Sequence, residues 1–83
     1  EALLEQEQEL IDLHELHIHE HAAIVEAETH LLESITSNLD YSPDEYTNKL
    51  REILDQKERL TKKLRARLDA FCEALQKEAI NWS

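Results

Sequence analysis

Apolar residues recur through the first half of the chain at Leu3, Leu4, Leu10, Ile11, Ile18, Ile24, Val25, Leu31, Leu32, Ile35 and Leu39, with polar residues between them. Leu4, Ile11, Ile18, Val25, Leu32 and Leu39 keep a strict sevenfold spacing. Leu3, Leu10, Ile24 and Leu31 run beside them, with His17 in the gap. Heptad spacing sustained this long predicts a coiled-coil or bundle helix over about residues 2–38, on the order of 55 Å in length.

A second series, Tyr46, Leu50, Ile53, Leu54, Leu60, Leu64, Leu68, Phe71, Cys72, Leu75 and Ala79, repeats the helical spacing and predicts a helix over about residues 43–80. Between the two, Ser42-Pro43-Asp44-Glu45 reads as a capping box: Ser42 at the N-cap, Pro43 at the first helical position, Glu45 reaching back. Two acids in the first turn suit the helix dipole. A corner over about residues 39–42 is short enough to set the helices antiparallel. The expected fold is all-α: one module, residues 1–83, of two long amphipathic helices in a hairpin. Two helices shield each apolar stripe on one side only, so the hairpin is expected to pair with a second copy as a homodimeric four-helix bundle or coiled coil. The alternative is an extended dimer with the second helix swung away.

Composition sharpens this picture. There is no Gly and one Pro, which leaves no Gly-rich loop to cradle a phosphate. A chain of 83 residues has a marginal core and calls for a staple or a partner. Its single Cys cannot supply an internal disulfide. With no signal-peptide pattern, a reducing, soluble compartment is expected, and a start at Glu1 without any Met fits an excised piece. Residues 1–48 hold thirteen acids and no Lys or Arg, whereas residues 49–83 hold nine bases and six acids. That asymmetry fits two helices that attract each other and disfavours a nucleic-acid partner for the first half.

Candidate chemistry is sparse. His14, His17, His19, His21 and His30 invite a metal, and His17 and His21 share a helix face at i, i+4. The zinc-protease pattern H-E-x-x-H is absent, however, because Ile18 follows His14-Glu15 at the fifth position and Ala23 follows His19-Glu20. No third ligand is indicated, so no cofactor or metal is expected. Glu7, His14, His21 and Glu28 fall three residues after the sevenfold row, where polar groups set register; an assembly with histidines there is expected to loosen below about pH 6. Lys57, Arg59, Lys62, Lys63, Arg65 and Arg67 form the basic cluster, expected to be answered by Asp55, by Glu58 through pairs such as Glu58 with Lys62, and by the acidic helix. Cys72 beside Phe71 reads as a small core residue. Asn81-Trp82-Ser83 matches a glycosylation acceptor but reads as a chain end without a secretory signal. No catalytic arrangement is present, and the chain itself is not expected to be an enzyme.

One stretch carries a resemblance. Asp40-Tyr41, Asp44, Tyr46, Leu50, Ile53-Leu54 and Gln56-Lys57, continued by Leu64-Arg65, Phe71, Leu75-Gln76 and Glu78 and preceded by Leu31-Leu32, resemble the C-terminal region of the kinesin-13 family, the internal-motor kinesins that depolymerise microtubules. The similarity spans residues 19–78, with its specific part in the middle; Ser42-Pro43 stands where the family pattern is more acidic and apolar. The resemblance implies a C-terminal dimerisation or regulatory segment of an ATP-driven microtubule depolymerase. It also implies a cytoplasmic, cytoskeletal setting at microtubules or the spindle. Partners would be a second copy, the motor domain of the same protein and, through the parent, tubulin; neither nucleic acid nor membrane is expected.

The dimer interface is then expected at Leu3, Leu4, Leu10, Ile11, Ile18, Ile24, Val25, Leu31, Leu32 and Ile35. Packing of the second helix falls to Leu50, Leu54, Leu60, Leu64, Leu68, Phe71 and Leu75. The corner, Asp40, Tyr41, Ser42, Pro43, Asp44, Glu45 and Tyr46, is the candidate motor contact. The alternative expectation is a hetero-association module whose acidic first helix docks a basic partner protein.

Overall fold

The computed structural model describes residues 2–37 and 41–82, with side chains through residue 79. Glu1, Asn38, Leu39, Asp40, Ser83 and the side chains of Ile80, Asn81 and Trp82 lie outside the described residues. Two helices account for nearly all of it: α1, Ala2–Ser37, and α2, Pro43–Trp82. They fold back on each other as an antiparallel hairpin, a rod of 66 × 18 × 13 Å. That length follows from helices of 36 and 40 residues at about 1.5 Å per residue.

The corner shows why α2 starts where it does. The Ser42 hydroxyl accepts from the Glu45 N–H at 3.4 Å, and the Ser42 carbonyl accepts the first helical bond, from the Tyr46 N–H at 3.0 Å. Pro43 opens the helix, where a missing N–H costs nothing, and Asp44 and Glu45 put negative charge in its first turn. The end of α1 has no basic residue in its last turn. Instead, the hydroxyls of Ser34, Thr36 and Ser37 donate to the carbonyls of Leu31, Glu33 and Glu33. Such back-bonding competes with the regular ladder and suits a terminus.

The seam between the helices is read from the half-buried positions. On α1 these are Leu3, Gln6, Leu10, Leu13, His17, Glu20, His21, Ile24, Glu28, Leu31 and Ile35; on α2, Tyr46, Leu50, Lys57, Leu60, Leu64, Phe71, Ala74 and Glu78, with Ile53 buried among them. Both series step mainly by three and four, the signature of a coiled-coil seam; α2 skips a turn between Leu64 and Phe71, where Arg67 and Leu68 are exposed. On α1 the row flanking Leu3, Leu10, His17, Ile24 and Leu31 changes sides midway, from Gln6 and Leu13 to His21, Glu28 and Ile35. A straight helix drifts by about 20° per heptad against a strict 3.5 repeat, and the change of row absorbs that drift. Ile53 is the one buried hydrophobic side chain among the described residues, because two helices cannot enclose a core.

Candidate interaction face

The strict sevenfold row of α1 lies outside this seam. Leu4, Ile11, Ile18, Val25 and Leu32 are 41–64% exposed, and on α2 Leu54, Leu68 and Leu75 are 44–52% exposed. In an antiparallel pair, the positions one and four residues after the leading seam row of each helix fall on the same side. These eight side chains, out of ten large exposed apolar ones, therefore share one face of the rod. Local geometry agrees: Leu32 and Glu28 line a hollow with Tyr46 and Leu50, and Lys57 Nζ donates to Glu28 Oε1 at 2.6 Å along that edge.

The opposite edge mixes charged residues with small and apolar ones, exposed Leu16 among them. Glu9, Asp12 and Leu16 line a groove with Lys63, Ala66 and Arg67, and Arg67 Nη1 donates to Glu9 Oε2 at 3.0 Å. Glu20 and Ala23 line a second groove with Gln56 and Arg59. Most of the large exposed apolar side chains thus lie on one side of the hairpin, with charged residues on both sides.

The fold divides the expected interface residues. Leu3, Leu10, Ile24, Leu31 and Ile35 are committed to α2 of the same chain, while Leu4, Ile11, Ile18, Val25 and Leu32 remain free. In α2, Leu50, Leu60, Leu64 and Phe71 pack into the seam, and Leu54, Leu68 and Leu75 lie beside it on the free face. Of the corner residues, Tyr41, Ser42, Pro43, Asp44 and Glu45 are exposed. Tyr46 instead turns into the seam against Leu31 and Leu32.

Cys72 corrects its expected place in the core. It is exposed, because it follows Phe71 by one position and is carried out of the seam by the helical turn. Of the basic cluster, Lys57 and Arg67 reach acids of α1, and Lys62 pairs with Glu58 at 3.1 Å.

The histidines separate by position. His14, His19 and His30 are exposed, and His30 stands within 4 Å of both Glu26 and Glu33. His17 and His21 stack in the seam, ring centroids 5.8 Å apart and 8° from parallel, and each has its Nδ1 shielded from solvent without a hydrogen-bond partner. Among the described residues no three His, Cys, Asp or Glu side chains form a group that could hold a metal ion. No helix there is long and apolar enough to cross a membrane.

Periodicity missed Leu13, which doubles the inner row, and Lys57, whose stem crosses the seam to Glu28. Leu13 was visible as the residue three after Leu10 and four before His17. Nothing in α1 alone pointed to Lys57.

No protein-family model, curated protein or solved structure matches this chain.

Proposed function

We propose that this chain is a homodimerisation and regulatory module, non-catalytic in itself, from a kinesin-13-like ATP-dependent microtubule depolymerase. The observation that carries self-association is the free apolar face: the sevenfold row Leu4 to Leu32 on α1 beside Leu54, Leu68 and Leu75 on α2. Burying each large side chain contributes about 1.5–3 kcal/mol, so even partial cover by a second copy yields a stable pair. Parentage rests on the resemblance from Asp40 to Lys57 alone. In this reading the chain acts at microtubules or the spindle through its parent, and exposed Tyr41, Asp44 and Glu45 are the surface offered to the motor domain.

Sedimentation equilibrium over a hundredfold concentration range at neutral pH tests the association. A mass near twice 9.8 kDa that persists on dilution supports it, and a helical monomer throughout refutes it. Titration against a kinesin-13 motor domain tests the parentage, with absence of binding counting against the corner contact.

A further inference from the structure

We propose that the second copy lies face to face with the first so that α2 of each covers α1 of the other, antiparallel, with both Ser42 corners at the same end of a four-helix bundle. This rests on the self-association reading above and adds its geometry.

Two observations select this arrangement over the other two-fold pairing, in which α1 covers α1 and the corners stand at opposite ends. The first is charge. α1 carries acids and no Lys or Arg, so laying α1 on α1 brings Glu7 and Glu15 beside the free row only against like charge. The matching flank of α2 carries Arg51, Glu58 and Arg65, all exposed, two cations to one acid. Covering α1 with α2 in the register below places Arg65 at the height of Glu15.

The second is level. A two-fold axis parallel to the helices keeps each residue at its own height, so heights already set within the hairpin recur between copies. Inside the hairpin Glu20 and Ile24 line one groove with Gln56 and Leu60, and Ile35 lines another with Tyr46, so these stretches of the two helices share a height. At those heights Leu4 meets Leu75 of the second copy, Ile11 meets Leu68 and Val25 meets Leu54. On α2 the sevenfold row is interrupted by Thr61, which stands opposite Ile18, and Leu32 stands opposite Thr47; the three apolar pairs coincide without any slide. The α1-on-α1 arrangement inherits no such register.

The test places one spin label near each corner, as Asn48→Cys in a Cys72→Ser background, and measures the label-to-label distance by pulsed electron resonance on the full chain, with mass and helicity checked in parallel. Asn48 is exposed on α2, so the label leaves the seam intact. The expected distance is about 20–30 Å, set by helices about 8–10 Å apart and the reach of two labels. A distance above about 40 Å, which a rise of about 1.5 Å per residue gives for corners at opposite ends, overturns the arrangement while leaving self-association standing. A monomer mass with no dipolar signal overturns both, and assigns the face to a different protein.

Discussion

His17 and His21 occupy successive turns of α1 with their rings parallel, 5.8 Å apart, inside the seam with α2. They mark the point where the inner flanking row of α1 changes sides. Each carries a shielded Nδ1 with no partner, and an unsatisfied polar atom in such a place costs about 1–3 kcal/mol. His17 also breaks a row that is otherwise Leu3, Leu10, Ile24 and Leu31.

Replacing His17 by Leu completes that row and removes one orphaned nitrogen. Thermal unfolding followed by circular dichroism should show a higher midpoint, with a gain of about 1–2 kcal/mol. A lower midpoint would mean that the stacked pair stabilises the seam in a way the unpaired nitrogens do not suggest.

On the free face, Ile18→Asp or Val25→Asp should dissociate the assembly while each chain stays helical, because neither side chain belongs to the hairpin's own seam. Glu26→Lys, on the outer side of α1, should leave the mass unchanged. Sedimentation of the three variants at one concentration separates these outcomes.

The two cross-helix ion pairs should differ in weight. Lys57 and Glu28 are 26% and 32% exposed, against 46% and 58% for Arg67 and Glu9. Removing Lys57 leaves a partly shielded carboxylate without its partner and should cost about 1–2 kcal/mol. Arg67→Ala should stay within about 0.5 kcal/mol, as exposed pairs do. Denaturant melts of the two single variants decide the order.

Ser42→Ala removes the hydroxyl that accepts from the Glu45 N–H and should lower stability by about 1 kcal/mol, whereas Ser42→Gly should cost only a few tenths. Equal losses would point to backbone entropy rather than capping.

The hairpin, its corner and its cap were legible in the residues because each rests on a local rule: heptad spacing, Ser-Pro with two acids, a short connection. Which apolar row of α1 turns inward was not. The strict row Leu4 to Leu32 is the more regular, yet the interrupted one beside it is inside. The reason is width. The inner row has Leu13 three residues after Leu10 and four before His17, half-buried beside α2, which widens its apolar stripe on that side. Outside the strict row, four residues on, stand Gln8, Glu15, Ala22 and Thr29, whereas Glu7, His14, His21 and Glu28 flank both rows alike. Cys72 was misjudged for a related reason, since one position along a helix turns a side chain through about 100°.

The antiparallel seam also orders events in time. Near the corner, Ile35 meets Tyr46 after closing only a short stretch of chain, whereas Glu9 reaches Arg67 only across 58 residues. The entropy of closure rises with the length of chain closed, so the cheapest nucleus is the turn beside Ser42, from which the two helices zip toward their far ends. Substitutions at Ser42, Tyr46 and Ile35 should then slow refolding, and those at Leu3, Leu10 and Phe71 should quicken unfolding. A rod built this way opens from its free ends while its corner stays shut.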